Sequence, residues 1–172
     1  MKKIKIFLIR SRFFIFFAVF ALLIGSLIYQ KLKNPPATSI LKDQAKVSQV
    51  TDGDTIILAD GKKIRLIGID APEINFQIEE SECFATQAAN LLKELIEGQI
   101  VSLEKDKENM DRYGRYLRYV YSDNVFINEF ILRQGYAKAI LIHPNAKYWK
   151  EFEAAEKEAK EAKRGLWGKC NY

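Results

Sequence analysis

The sequence predicts an α+β fold in which a small antiparallel β-barrel carries packed helices. From residue 46 onward the chain opens with short stretches of alternating, β-branched residues, which is the pattern of half-buried strands. One helical pattern is inserted among these strands, and two more follow them. Strands first and helices last favour an α+β arrangement, and several short strands in a domain of this size favour a barrel.

Residues 1–33 predict a transmembrane anchor ahead of that domain. The stretch 13–29 is uncharged and mostly apolar, and its 17 residues are at the short end for a helix that spans a bilayer. A cleavable signal peptide is the alternative, but bulky side chains close the run where small ones are usual. The two arginines before the run disfavour a buried core helix. Five basic residues precede the run and two follow it, so the N-terminus is expected in the cytoplasm and the domain outside it.

A linker is expected at residues 34–45, which begin with the letters NPPATS, and the folded domain is expected over residues 46–172. All 22 acidic residues and 20 of the 27 basic residues lie after position 34. The net charge of that part is slightly negative, so overall charge does not indicate binding of a polyanion. Any phosphate recognition must depend on a few individual arginines.

Each element of the domain follows from its local pattern. Strands are expected at residues 47–50, 55–58, 63–69, 100–104 and 117–121, and helices at 82–97, 126–133 and 148–164. Asp60-Gly61 is a strong signal for a tight hairpin turn between the second and third strands. Gly98, Gly135 and Gly165 lie at or just after the ends of the three helical patterns, where glycine commonly terminates a helix.

Acidic residues lie at the ends of the predicted strands. Asp54 opens the second strand and Asp70 closes the third, so the two carboxylates are placed to converge on one cation. Glu73 follows Pro72 on a loop at the edge of this site, where a carboxylate can hold or deprotonate a water molecule. Taken singly, each acid is better explained as a solvated residue near a turn.

The composition limits the kind of metal. One histidine and two widely separated cysteines exclude a zinc site built from nitrogen and sulfur ligands. Oxygen ligands remain, and these point to magnesium or calcium.

Two arginines accompany the acids. Arg65 lies in an otherwise apolar strand, and Arg115 follows the turn at Tyr113-Gly114. A guanidinium group binds phosphate oxygens in a bidentate manner and stabilises the extra charge that develops during phosphodiester hydrolysis. The alternative for each arginine is a salt bridge with a nearby acid.

Taken together, these motifs resemble the staphylococcal nuclease (thermonuclease) family. The resemblance is carried by VTDGDT at 50–55, RLIGIDAPE at 65–73, DRYGR at 111–115, VFINEFILRQGYA at 125–137 and GLW at 165–167. It covers residues 46–168 and keeps the motifs in the family's order. The resemblance implies an OB-fold, which is a five-stranded Greek-key barrel, with three helices. It also implies a calcium-dependent enzyme that cleaves DNA and RNA internally and from chain ends.

The resemblance further implies a role for each site residue. The implied calcium ligands are the carboxylates of Asp54 and Asp70 and the backbone carbonyl of Ala71. The implied catalytic residues are Glu73, which activates or orients water, and Arg65 and Arg115, which bind the scissile phosphate. Tyr113 is expected to contact the other phosphate of the nucleotide.

The sequence departs from the family's pattern at three places. Leu-Ile-His at 141–143 stands where well-known members have a Tyr-x-Tyr pair that lines the base pocket, so base stacking is weakened or passes to His143. Otherwise His143 is an ordinary loop residue beside Pro144. Ala71 replaces a threonine, which is tolerated if only its backbone oxygen matters. The third departure is the presence of two cysteines, which the founding enzyme lacks.

Cys83 and Cys170 are predicted to form a disulfide, because an exported domain meets oxidising conditions. Cys170 follows the last helical pattern and is able to tie the C-terminus to the start of the first helix. The alternative is two unrelated thiols, which would be shown by Cα atoms more than about 7 Å apart.

Two other functions compete with a nuclease. An OB-fold module that binds single strands without chemistry is expected to have lost some of the acids and arginines, and none is lost here. A membrane-anchored scaffold would use the helix at 148–164, but alternating Lys and Glu there indicate a solvated face. The expected partners are therefore DNA and RNA as substrate and the membrane, with no obligate protein partner.

Overall fold

The computed structural model describes residues 43–75 and 81–171. The expected anchor at 1–33 and all but the last three residues of the expected linker lie outside these ranges. Among the described residues, no helix combines the length and the apolar character that a bilayer crossing requires.

The described residues form eight strands, and five of these close into a barrel. The strands are β1 (Asp43–Val50), β2 (Thr55–Leu58), β3 (Lys63–Leu66), β4 (Ile69–Asp70), β5 (Ile100–Glu104), β6 (Tyr116–Ser122), β7 (Val125–Phe126) and β8 (Lys138–Ala139). The barrel order is β3-β2-β1-β5-β6, and β6 pairs with β3 to close it. The first half of β1 pairs with β5 and its second half with β2, so β1 bends across two neighbours. β1 thus includes three residues of the expected linker, 43–45, in its pairing with β5.

The sequence predicted a barrel that is antiparallel throughout, and this prediction is wrong at one place. The pair β3 and β6, which closes the barrel, is parallel. Parallel neighbours need a crossover connection, and here the chain between β3 and β6 includes a helix and β5. The hydrophobic pattern of a strand identifies which face is buried but does not identify its neighbours.

A glycine turn interrupts the predicted strand 63–69. β3 ends at Leu66, and Gly68 adopts a φ of +81°, which side-chain-bearing residues rarely adopt. A Cβ atom on Gly68 would lie 2.2 Å from the ring of Phe152. The turn brings Asp70 back toward Arg65, so that Arg65 Nη2 donates a hydrogen bond of 3.2 Å to Asp70 Oδ1.

Gly68→Ala should therefore be strongly destabilising. The left-handed conformation costs about 1–2 kcal/mol for alanine, and overpacking against Phe152 adds roughly 1–3 kcal/mol. Gly61→Ala is the matched control, because Gly61 has a similar φ of +83° but no atom within 4 Å of an added Cβ. Urea denaturation measures both variants. Equal losses of unfolding free energy would contradict a packing role for Gly68.

The helices are α1 (Ala85–Ile96), α2 (Ile127–Arg133), α3 (Trp149–Glu161) and α4 (Leu166–Lys169). The first three lie within the predicted ranges and begin one to three residues later; α1 and α3 also end one and three residues earlier, and α2 ends where predicted. α1 begins after residue 84 because Phe84 has a φ of 74°, outside the helical region. α4 and the two-residue strands are too short to produce a periodic sequence pattern.

The core lies inside the barrel and between the barrel and helices α1, α2 and α3. Its largest fully buried side chains are Ile56, Ile64, Leu66, Ile67, Ile69, Leu92, Ile96, Leu117, Tyr119, Ile127, Ile131 and Phe152. Burial of each such side chain stabilises the fold by about 1.5–3 kcal/mol. Buried Asn128 accepts a bond from Val120 N and donates to Ile67 O, which fixes α2 against β6 and the turn after β3.

The structure joins Cys83 and Cys170 in a disulfide, the pairing that the sequence predicts, with Cα atoms 5.9 Å apart. The bond connects the segment before α1 to the residue after α4. For a loop of this length, the chain-entropy model gives a stabilisation on the order of 4 kcal/mol.

Candidate active site

The loop between β1 and β2 carries the first acidic residues of the site. Its Gly53 packs so closely that an added Cβ would lie 2.5 Å from the Cβ of Ala71 and 2.8 Å from that of Ala88. Asp52 Oδ1 accepts a hydrogen bond of 3.0 Å from the backbone N–H of Asp54. Close packing and this local bond together direct the Asp54 side chain inward.

Asp54 is almost fully buried, with 2% of its surface exposed. One carboxylate oxygen, Oδ2, accepts a bond of 2.9 Å from Ala71 N–H and lies 3.0 Å from Arg65 Nη2. The other oxygen accepts a bond of 3.0 Å from the hydroxyl of Thr55. These bonds join the loop after β1 to the segment that follows Asp70.

Burial raises the pKa of Asp54 to about 7. The cation of Arg65 and the bond from Ala71 N–H lower this pKa, while the neighbouring carboxylate of Asp52 raises it further. Desolvation of this buried carboxylate therefore outweighs the stabilisation that Arg65 and the Ala71 N–H give to its charged form.

Arg65 lies between the two expected metal ligands. Its Nη2 atom is 3.0 Å from Asp54 Oδ2 and 3.2 Å from Asp70 Oδ1. Its Nη1 atom donates to the carbonyls of Leu66 at 3.1 Å and Ile69 at 2.7 Å. The two Nη atoms thus make four contacts with acceptors within the protein, three hydrogen bonds and the ion pair with Asp54, which is the salt-bridge role that the sequence left as an alternative. The bond to Asp70 is the longest and most exposed of the four, so a phosphate would displace it most readily.

The oxygen atoms around Arg65 supply some, but not all, of the ligands that a hard cation requires. The carboxylates of Asp54 and Asp70 converge on a single nitrogen atom, and half of the Asp70 side chain is exposed. Calcium and magnesium are bound by such oxygens together with backbone carbonyls and water. Within residues 43–75 and 81–171, no group of three or more His, Cys, Asp or Glu side chains is gathered closely enough to hold a metal. A cation here would take its remaining ligands from the backbone, from water or from the substrate.

Glu73 lies on the loop after β4, and its side chain is exposed. Partial desolvation raises the pKa of Glu73, and Asp52 and Asp70 raise it further against the opposing cation of Arg65. Its backbone N–H donates a 3.0 Å bond to Glu82 Oε2. A carboxylate with a raised pKa is better matched to proton transfer near neutral pH.

Arg115 is held by Asp111 on the loop that leads into β6. Arg115 Nε donates to Asp111 Oδ2 at 2.7 Å, while Asp111 Oδ1 accepts the backbone N–H groups of Tyr113 and Arg115. Burial acts to raise the pKa of Asp111, but the bonds from Arg115 and Tyr113 outweigh it and lower that pKa. Arg115 Nη1 lies 3.5 Å from Thr55 Oγ1, so Thr55 connects Arg115 to Asp54.

Tyr113 lies next to Arg115 and is exposed over 69% of its surface. The guanidinium carbons of Arg112 and Arg115 lie 4.8 Å and 5.5 Å from the centre of its ring. An exposed phenol beside two cations offers a hydrogen bond and positive charge to an anionic ligand.

The structure brings together most of the residues that the sequence singled out. Asp54 contacts Arg65 and the backbone of Ala71, and Arg65 also contacts Asp70. Arg115 is connected to Asp54 through Thr55. Glu73 lies two residues after Ala71 in the chain. His143 is exposed on the loop between β8 and α3, and no hydrogen bond joins it to these groups in the described part of the chain. Its expected contact with substrate stays a prediction.

Four further residues shape the site and were not singled out from the sequence: Asp52, Thr55, Glu82 and Asp111. Three of them lie inside the quoted motifs at 50–55 and 111–115, so their positions were visible although their roles were not. The role of Asp111 has a local signal, because an Asp before a turn caps the N–H groups that follow it. Glu82 lies nine residues from Glu73 and has no such signal.

Both a family model and individual proteins with names of nucleases match this chain. Residues 63–169 match the family model described as "Staphylococcal nuclease homologue". The chain is 39% identical to the thermonuclease of Staphylococcus hyicus over 125 residues, which cover 71% of this chain and 74% of that protein. It is 34% identical to endonuclease YncB of Bacillus subtilis (strain 168) over 154 residues, 84% of this chain and 73% of that one. With the thermonuclease of Staphylococcus intermedius it shares 36% identity over 134 residues, 76% and 80% of the two chains.

Proposed function

Because the chain belongs to the staphylococcal nuclease family, we propose that it is a calcium-dependent nuclease that hydrolyses the phosphodiester bonds of DNA and RNA. The observation that carries the proposal is the convergence of Asp54 and Asp70 on one nitrogen of Arg65, with the exposed carboxylate of Glu73 on the adjoining loop. A single-strand-binding module has no need of a buried carboxylate with a raised pKa beside a second acid.

Each residue of the chain has a distinct part in the proposed reaction. Glu73 accepts a proton from the attacking water or orients that water toward phosphorus. Arg115 and Arg65 bind the phosphate oxygens on which negative charge develops. Tyr113 contacts a neighbouring phosphate and so holds the strand in register with the scissile bond.

Asp54, Asp70 and the backbone carbonyl of Ala71 are the groups that would hold calcium. When bound, the ion supplies positive charge that polarises the phosphate. Burial is the main cause that raises the pKa values of both Asp54 and Glu73, and the neighbouring carboxylate of Asp52 raises both further, so a cation bound here would stabilise the ionised carboxylates.

A cleavage assay tests the proposed function. The full-length protein is incubated with single-stranded DNA, duplex DNA and RNA, each with calcium, magnesium or EDTA. We expect cleavage that calcium supports and EDTA abolishes. Retention of the nucleic acid without cleavage would show the binding-only alternative, and cleavage in EDTA would contradict the metal requirement.

Calcium affinity should fall as the pH is lowered. The pKa of Asp54 is raised to about 7 in the absence of metal, and a cation binds only the ionised carboxylate. Below pH 7 each bound ion must therefore displace one proton, so affinity should fall by about tenfold per pH unit, while above pH 8 it should change little. Calorimetric titration at several pH values measures this dependence. Asp54→Asn is the control, since it should weaken binding and flatten the pH dependence; a steep dependence that survives this substitution would contradict the assignment.

We further propose that residues 1–33 anchor the protein in a membrane with the nuclease domain on the outer side. The support comes from the apolar run and its basic flank, and the disulfide agrees with it because disulfides persist in oxidising compartments. Protease added to intact spheroplasts tests the placement, since a domain on the cytoplasmic side would be protected.

A further inference from the structure

We propose that Glu82 is a positioning residue for Glu73 and that the Cys83–Cys170 disulfide holds Glu82 in place. The inference rests on the proposed function, in which Glu73 acts on the attacking water. It assigns to the disulfide a role in catalysis in addition to its contribution to stability.

Two hydrogen bonds join Glu73 to Glu82, and we call this pair of bonds the clamp. The backbone N–H of Glu73 donates to Glu82 Oε2 at 3.0 Å, and the backbone N–H of Glu82 donates to the carbonyl of Glu73 at 3.1 Å. A third bond, from Asn75 N–H to Ser81 Oγ at 3.3 Å, lies between them. The first bond depends on the Glu82 side chain, and because its acceptor is a carboxylate it is stronger than a neutral one.

The Glu73 carboxylate is not held directly by the described residues, so its position depends on the support of its backbone. The side chain is exposed, and among the described residues no group donates a hydrogen bond to its carboxylate oxygens. Its direction therefore depends on the backbone at residue 73. Ala71 N–H, bonded to Asp54 at 2.9 Å, fixes the backbone on one side, and Glu82 fixes it on the other.

Glu82 is in turn anchored by its neighbour Cys83. The disulfide joins Cys83 to Cys170 directly after α4. α4 is fixed in the fold, because Leu166 is fully buried and its N–H donates to Gly135 O at 2.8 Å. A covalent path thus runs from the packed C-terminal helix to the residue whose carboxylate holds Glu73.

The residue after Cys83 indicates that this segment is constrained. Phe84 adopts a φ of 74°, which is unfavourable for a residue with a Cβ atom. Its ring packs on Tyr136 with centroids 4.9 Å apart. The disulfide and this aromatic contact together hold the segment in the conformation that points Glu82 at the Glu73 backbone.

Substitution of Glu82 tests the proposal through a split between kcat and KM. Glu82→Ala removes the acceptor and should lower kcat by about tenfold, since small displacements of a catalytic group have large effects on rate. KM should stay within about twofold, because Arg65, Arg115 and Tyr113 still bind the substrate. Glu82→Gln keeps a side-chain oxygen acceptor and should retain most of kcat. Glu94→Ala, at an exposed position of α1, is the matched control and should behave as wild type.

Replacement of both cysteines by serine tests the second half of the proposal. With the assay temperature kept below the melting temperature of the variant, kcat should fall by a few fold. Glu82→Ala should then have a smaller effect than in the wild type, because the two changes act on one element. Amide exchange at Glu73 should be faster in both variants, and this measurement does not depend on activity.

Different results would overturn the positioning role of Glu82 and the proposed nuclease function. Unchanged exchange at Glu73 in Glu82→Ala, or a wild-type kcat in that variant, would overturn the positioning role. So would equal losses in Glu82→Ala and Glu82→Gln. Absence of cleavage by the wild-type protein would instead overturn the proposed function, and with it the catalytic consequence of the clamp.

Discussion

Glu73→Gln should lower kcat by roughly 100-fold or more while substrate affinity stays close to that of the wild type. The substitution preserves the size of the side chain and removes its ability to accept a proton. Glu73 contributes no hydrogen bond from its carboxylate to the described fold, so the loss should not come from unfolding. Single-turnover cleavage of a labelled oligonucleotide, with binding measured separately, gives the two quantities.

Glu94→Gln provides the matched control for this experiment. Glu94 is an exposed glutamate on α1, remote in the chain from the acid loops, and its variant should cleave at the wild-type rate. Full activity of Glu73→Gln would show that another group, or the bulk solvent, takes the proton. A loss confined to KM would instead place Glu73 in substrate binding.

Arg115→Lys should reduce kcat/KM by about 100-fold, close to the effect expected for loss of one preorganised donor to a developing anion. A lysine carries the same charge, but it cannot present two parallel N–H groups to the phosphate. Arg115 is preorganised by the bond of its Nε to Asp111, and no described residue accepts a hydrogen bond from its Nη2 atom. That edge of the guanidinium is therefore available to substrate, unlike the Nη atoms of Arg65.

Arg112→Lys is the control for Arg115→Lys. Arg112 lies on the same loop and beside the same Tyr113 ring, but its guanidinium donates to the Tyr113 hydroxyl, and among the described residues it forms no hydrogen bond or ion pair with Asp111 or Thr55. Its substitution should change kcat/KM by less than about threefold, as for an exposed charge screened by solvent. Equal losses in the two variants would mean that the loop acts only through its net charge. Full activity of Arg115→Lys would remove Arg115 from transition-state binding.

The sequence alone determined the elements that have long or well-marked patterns. The turn at Asp60-Gly61, the helices α1, α2 and α3, and the strands β2, β5 and β6 follow from periodicity and from turn residues, which are local properties. The motifs also identified the family, because several of them occur in a fixed order. The family model and the relatives confirm that identification.

Local pattern did not determine how the strands are joined or how the site is assembled. The parallel pair β3 and β6 closes the barrel across a long stretch of chain, and the turn at Gly68 depends on the ring of Phe152, which lies far away in sequence. The clamp between Glu73 and Glu82 and the link from Arg115 through Thr55 to Asp54 also depend on contacts between residues that are separated in sequence. Such contacts join residues that share no periodicity, so only the tertiary structure decided them. Burial also raised the pKa of Asp54, and burial is a property of the packed domain.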